Sequence, residues 1–425
     1  MKTFKFHTLG CKVNQYDTQQ MRERLLERGM QEASQQKLAD IYLINTCTVT
    51  GRADSESLNI LRRVRRENPK ARILVTGCLT ELDRDRIMET DKQAIVVTNK
   101  EKVKLTEILS DLGEIGHLAG NSLEKISNKG ISRFYGHTRA FLKIQDGCNN
   151  FCAYCKVPLV RGASISKPLQ MIVEEAERLA QNGFKELVLT GICLGSYGKE
   201  LKPAISLVEV IDSIEKIEGI LRIRLSSIEA GDVTGRLIDK MNSSKKLCPH
   251  LHIPIQSGDD KILKMMKRRY TSRDYLQLIR RIRLKIPQVA ITTDVLVGFP
   301  GEGEDNFKNT LDLVKKIRPL KVHIFPYSRR EGTCAAEALK DQVDFQIVKR
   351  RIFELGEQTK ALSLAFKKGF LNKKLDVLVE SKVKDDPRYW QGYTGNYIGV
   401  KIRSKRPLGN KLIILKRKRL SSLVI

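Results

Sequence analysis

The sequence predicts an α/β chain in three parts: an N-terminal parallel α/β sheet domain over 1–110, a central partial (βα)6 barrel over 137–370, and a small C-terminal antiparallel β barrel over 371–425. Three observations carry this. Short apolar runs alternate with amphipathic stretches through the first part, each run ending at a cysteine. Six strand-helix units follow Arg139, and beyond residue 370 the pattern changes to short runs of alternating apolar and polar residues.

In the first part, KFHTLG leads to Cys11, DIYLINT to Cys47 and RILVTG to Cys78, with helical periodicity between them near 16–29 and 54–67. Parallel open sheets bind ligands outside the carboxyl ends of their strands. The three cysteines, distant in sequence, would therefore meet on one edge as a three-thiolate site. The bland alternative is three buried, unliganded cysteines, a common fate for this small apolar side chain. Gly10 and Gly77 precede two of the thiols and would permit sharp turns or close backbone approach. Asn14, Asn45 and the threonines around Cys47 would either donate hydrogen bonds at such a site or cap the following helix. Residues 111–136, rich in Gly, Asn and Ser, read as a connector.

The central part holds candidate strands AFLKIQ, ELVLTG, RIRLSS, HLHIPIQ, AITTDVLVG and KVHIFPYS. Helical patterns lie near 169–182, 206–216, 232–242, 271–285, 304–317 and 344–366. Such a barrel works at its strand C-termini. Cys148, Cys152 and Cys155, in KIQDGCNNFCAYC, follow the first strand with CxxxCxxC spacing. Three thiolates hold three corners of a soft-metal site and leave the fourth open, where a structural zinc site would normally be closed. Gly191, Glu229, Gln256, Ser257, Asp294 and Gly298 lie near the ends of later strands, so polarity converges on the same mouth. Cys193 is expected to pack there, and Cys248 and Cys334 show no ligand spacing. His252 reads as a satisfied barrel histidine or one turned to substrate. Lys143 and Arg161 would meet a carboxylate or phosphate, or face solvent.

Lys and Arg number 77 against 49 Asp and Glu, a formal charge of +28. That excess favours a polyanionic partner, RNA above all, over a merely basic composition. Arg62, Arg63, Arg65 and Arg66 crowd one helix, and Lys416, Arg417, Lys418 and Arg419 cluster near the end. In the third part Trp390, Tyr393 and Tyr397 would stack on bases or serve in packing. No apolar stretch approaches the roughly 20 residues needed to span a bilayer, so the sequence predicts no membrane association and a cytoplasmic location. Nine cysteines in such a chain favour metal ligation over a disulfide framework.

CNNFCAYC resembles the cluster motif of the radical S-adenosylmethionine enzymes. HTLGCKVN, INTCTVT and VTGC resemble, more specifically, the methylthiotransferase family within them, and the likeness runs through almost the whole chain. HTLGCKVN, KIQDGCNNFC, SSIEA, HLHIPIQSG and VGFPGE together look most like the bacterial branch that methylthiolates threonylcarbamoyladenosine at tRNA position 37. Relatives acting on isopentenyladenosine or on a ribosomal-protein aspartate share the clusters.

The resemblance implies a radical-SAM barrel, a C-terminal TRAM domain, and two [4Fe-4S] clusters, on Cys148/Cys152/Cys155 and on Cys11/Cys47/Cys78. It implies S-adenosylmethionine cleaved at the first cluster to a 5′-deoxyadenosyl radical that takes hydrogen from adenosine C2, and a sulfide or persulfide methylated and delivered from the second. An external low-potential electron donor such as flavodoxin or ferredoxin, and a tRNA anticodon stem-loop, would be partners. For the cofactor pocket it points to Glu229 and Asp294 as hydrogen-bonding groups, Gly191 and Gly298 as points of backbone approach, and Gln256 and Ser257 as closing residues. Either carboxylate would otherwise cap a helix. No catalytic acid or base is assigned. One departure stands out: in RGASISK, Ile165 and Lys167 occupy places where the family usually has arginines.

Overall fold

The computed structural model describes residues 1–34, 36–115, 130–416, 418–419 and 423–424. The first part is a five-stranded parallel sheet in the order Gln31–Glu32, Thr3–Thr8, Ile41–Thr46, Arg72–Gly77, Ile95–Val96. Its central strand, IYLINT, is buried at every residue, as a parallel strand covered on both faces must be. Alternation divides it between two cores. Tyr42 and Ile44 pack with Leu58, Leu61 and Val64, whereas Ile41 and Leu43 pack with Phe4, Leu25 and Leu105. The helix Lys12–Glu27 starts immediately after Cys11, earlier than periodicity suggests, and Gly51–Glu67 starts at its cap, Thr50, whose side chain accepts from Ala53 N.

All six expected strand-helix units of the central part form. Arg139–Lys143, Glu186–Thr190 and Arg222–Leu225 make one parallel run, and His250–His252, Ala290–Val297 and Lys321–Pro326 another. Isolated parallel bridges at Ile223/Leu247 and Ser227/His252 join them into one curled sheet. The helices Leu169–Gln181, Leu207–Glu215, Gly235–Ser243, Ser272–Lys285, Glu304–Ile317 and Phe345–Lys368 cover its outside, and their apolar faces join a single large core. Of the expected connector, residues 116–129 lie outside the described residues. Its end is packed: Ile131 and Phe134 are buried, and Ser132 N donates to Glu23 at 2.7 Å.

The third part is an antiparallel five-stranded sheet, ordered Leu412–Lys416, Lys374–Lys382, Tyr389–Thr394, Gly399–Arg403, Leu423–Val424, curled like a small barrel. It docks on the central part through two buried arginines. Arg222 donates to Tyr393 O and the Asp376 carboxylate, and Arg224 to Gly395 O and Thr394 O. Tyr393 and Tyr397 consequently turn inward: they stack on each other at 5.2 Å, with the Arg224 guanidinium 4.6 Å from the Tyr397 ring. Trp390 packs along Gly409. These aromatics serve the packing role. Among the described residues, no helix is long and apolar enough to cross a membrane.

Candidate metal and substrate centre

The strands Thr3–Thr8, Ile41–Thr46 and Arg72–Gly77 are adjacent and parallel, and Cys11, Cys47 and Cys78 follow their carboxyl ends. Two glycines make that convergence possible. Gly10 has φ +93°, and a Cβ there would stand 2.7 Å from Cys47 Cβ and Sγ. Gly77 has φ +103°, and a Cβ would meet the Thr46 backbone at 2.3 Å. Asn14 ties the turns together, donating to Leu9 O and Thr46 O, while Asn45 donates to Asn14 O and Thr18 Oγ1. Both asparagines therefore brace the strand ends. Burial pushes the Cys47 thiol up to about 12 and raises Cys11 against the opposing pull of Arg161, with Cys78 and Cys11 raising Cys47 further and Cys78 raising Cys11. Three mutually interacting thiols in a pocket only glycine allows fit a cluster with three protein ligands.

The second cysteine set lies on the loop after Arg139–Lys143. Phe151, at φ 48°, folds that loop back on itself. Asn150 N and Val157 N approach Cys148 Sγ and Cys155 Sγ at 3.5 and 3.4 Å, and Arg268 Nη1 lies 3.2 Å from Cys152 Sγ. Backbone N–H groups and a guanidinium aimed at sulfur stabilise thiolates, so this loop also fits a cluster. Cys193 packs at this mouth, as expected: its hydrogen bond to Cys148 lowers the latter's thiol, and Asn150 Nδ2 is 3.5 Å from Cys193 Sγ. Arg268 Nη2 also binds Glu229, whose carboxyl is raised by burial against that pull. Glu229, Cys152, Cys193, Asp232, Lys199 and Arg268 line one cavity of about 220 Å³.

A larger cavity, about 570 Å³, opens at Cys11 and is lined from all six strands of the curled sheet, from Phe141 through Val188, Leu225, His252 and Asp294 to His323. Tyr393 and Tyr397 of the third part close another side. The two domains are clamped around it by charge. Arg161, from the cysteine loop, donates to Asn14 Oδ1 at 2.5 Å and to Asp146 and Asp17 at 2.9 and 3.3 Å. Lys143 reaches Asp17 at 2.5 Å. Farther out, Arg330 binds Thr48 Oγ1 and Asp54.

Residues 3–98 match a family described as uncharacterized protein family UPF0004, and residues 142–314 match the radical SAM superfamily. A threonylcarbamoyladenosine tRNA methylthiotransferase of Bacillus subtilis is 36% identical over 424 residues, covering 98% of this chain and 94% of that protein. A tRNA-2-methylthio-N(6)-dimethylallyladenosine synthase of Carboxydothermus hydrogenoformans is 37% identical over 428 residues, covering 98% and 96%. This chain belongs to the radical SAM tRNA methylthiotransferases. The radical S-adenosylmethionine methyltransferase TsrM of Kitasatospora setae shares the fold, with a TM-score of 0.57 at 13% identity over 79% of this chain and 74% of that one. As a radical SAM methylthiotransferase the protein is an enzyme that uses S-adenosylmethionine and an iron-sulfur cluster.

Within this methylthiotransferase the other residues singled out in the sequence take various places. Glu229 and Asp294 line the small and the large cavity respectively. His252 Nε2 lies 3.1 Å from Asp294 Oδ2 while its Nδ1 meets Thr292 Oγ1, so it is both satisfied and turned to the cavity. The space at Gly191 is taken by Gln145, and that at Gly298 by Val348. Gln256 bonds through its backbone to Asp294 O and Leu296 N, and Ser257, buried, accepts from Asp259 N. Lys143 and Arg161 do meet carboxylates, those of the protein itself. Lys167 pairs with Glu175 and Tyr16, so its departure from the usual arginine serves the interface with the first part. Arg268, Asp232 and Lys199 are site residues that the sequence does not single out, because none of them carries a spacing signal.

Proposed function

We propose that this enzyme methylthiolates C2 of threonylcarbamoyladenosine at position 37 of tRNA, with Cys148, Cys152 and Cys155 holding one [4Fe-4S] cluster and Cys11, Cys47 and Cys78 a second. The observation that carries the reading is the shared cavity: Cys11 opens onto the same space that all six barrel strands line. The B. subtilis relative's name supplies the substrate. When bound, the clusters supply reducing electrons for cleavage of S-adenosylmethionine at one site and a held sulfur at the other. The chain's own residues hold the pieces. Arg268 bridges Cys152 and Glu229, placing a cation and a carboxyl beside the first site for the charged ends of S-adenosylmethionine. Phe141, Val188 and Leu225, in the larger cavity, give the target adenine of the tRNA an apolar bed away from water.

The reading includes a sulfide or persulfide source, a low-potential donor such as flavodoxin or ferredoxin, a cytoplasmic location, and functional units at 1–110, 137–370 and 371–425. Dimethylallyladenosine is the rival substrate, on the name of the C. hydrogenoformans relative.

The test is anaerobic reconstitution followed by mass analysis of nucleosides from hypomodified tRNA incubated with S-adenosylmethionine, sulfide and reductant. The expected product is C2-methylthio-threonylcarbamoyladenosine. Cys148→Ala should abolish both 5′-deoxyadenosine and product, whereas Cys11→Ala should keep 5′-deoxyadenosine formation and lose the product. Methylthiolation of dimethylallyladenosine alone would overturn the substrate assignment.

A further inference from the structure

The large cavity carries more positive charge than its surroundings neutralise. Five cationic side chains line it, Lys12, Arg139, Arg224, Lys321 and Lys367, against one carboxylate, Asp294. Two of the five are spoken for: Arg139 pairs with Glu380 at 2.6 Å, and Arg224 with Glu186 at 2.7 Å and with backbone carbonyls. Asp294 is engaged by His252. Among the described residues, the ammonium groups of Lys12, Lys321 and Lys367 have no hydrogen-bond or ion-pair partner. Lys367 is only 3% exposed, so it cannot serve as a solvated surface charge. Two further buried polar atoms on the lining, Ser363 Oγ and His250 Nδ1, also lack partners. Ser363 precedes Lys367 by one turn on the helix Phe345–Lys368, so both side chains share a face.

A buried ammonium without a counter-charge is costly, so Lys367, set beside the exposed Lys321 and Lys12, invites an anion. We infer that Lys367, Lys321 and Lys12, with Ser363, form a carboxylate pocket that reads the free threonine carboxylate of the modified base. The inference rests on the threonylcarbamoyladenosine reading and adds the residues that select it. A dimethylallyl substituent would leave the buried Lys367 ammonium unpaired and Ser363 unsatisfied, an asymmetry that discriminates more strongly than the loss of an apolar contact. A phosphodiester would supply the same charge. Yet the lining comes from the inside of the curled sheet, next to the apolar bed at Phe141, Leu225 and Leu320, where a base fits and an RNA backbone does not.

The experiment compares the reconstituted holoenzyme on anticodon stem-loop RNAs carrying threonylcarbamoyladenosine, its threonine methyl ester, or dimethylallyladenosine. KM and kcat are measured for wild type, Lys321→Gln and Lys367→Met. For wild type, esterification should raise KM by roughly ten- to a hundredfold. Each variant should raise KM for the acid by about tenfold or more while leaving KM for the ester unchanged. Cluster absorbance and circular dichroism report whether Lys367→Met, a buried change, still folds; Lys321→Gln, on an exposed strand residue, keeps the test alive if it does not. Equal KM for acid and ester in wild type would overturn the pocket while leaving the substrate reading intact. Equal loss on acid and ester in the variants would assign the lysines to phosphate and also overturn it. Turnover of dimethylallyladenosine RNA in place of both others would instead sink the substrate reading itself.

Discussion

Asp17 is the residue on which the join between the first two parts turns. It is 6% exposed and receives Lys143, Lys102 and Arg161, one from the central barrel, one from its own domain and one from the cysteine loop. Burial alone would raise its pKa, but the three cations hold the carboxyl well below its ordinary value of 3.8. A carboxyl with a depressed folded pKa adds stability that is present above the unfolded value and lost as pH falls through the folded one. The protein should therefore lose the contribution of Asp17 only below about pH 4. Asp17→Asn leaves three cations around a neutral amide. Thermal or denaturant unfolding should show a loss of about 3–5 kcal/mol at neutral pH and a shallower decline on acidification. Unchanged stability would mean that solvent already screens the cluster.

At the scale of elements, the sequence was most legible where periodicity and position coincide. The helices at 169–181, 272–285 and 304–317 begin and end close to their predicted limits; the Thr271/Asp274 box starts the second, and at the start of the third Gly303 N donates to Asn306 Oδ1. The convergence of Cys11, Cys47 and Cys78 was readable for the same reason, since a parallel sheet gives each strand end one address. The place of Cys193 at the mouth is readable from its position after Glu186–Thr190, whereas the approach of Arg268 to Cys152 is not, because Arg268 arrives from a segment with no spacing signal and only tertiary folding brings it there. The strand-end turns yield a sharp prediction. Gly10→Ala places a methyl against Cys47 at a φ that L residues avoid. Iron and acid-labile sulfide after reconstitution should fall toward the level of a Cys11/Cys47/Cys78 triple-alanine protein, with 5′-deoxyadenosine formation retained. Wild-type iron content in Gly10→Ala would show that the turn has slack and that this site is not built around the glycine.

For the whole molecule, the formal charge of +28 has two distinct uses, and they separate by depth. Inside, Lys367 and its neighbours act over one ligand's length. Outside, Arg62, Arg63 and Arg66 lie exposed along one face of Gly51–Glu67, and Lys416, Lys418 and Arg419 stand on the far end of the chain, with Arg417 outside the described residues. Exposed charges act through the counterion atmosphere of RNA, so affinity for tRNA should fall linearly in log Kd against log salt. If Gly51–Glu67 faces the RNA backbone, changing Arg62, Arg63 and Arg66 to Gln should flatten that slope by roughly 0.7–0.9 for each phosphate contact removed. The inward turn of Tyr393 and Tyr397 bears on the same measurement, since it takes both rings off the outer surface of the third part and into the lining of the large cavity. Lys367→Met, by contrast, should leave the salt slope as it is while altering the choice of base. Fluorescence anisotropy of labelled tRNA across a salt series decides both points. An unaltered slope in the triple-glutamine protein would make this basic helix a plain solvated face and move the RNA track to the C-terminal cluster.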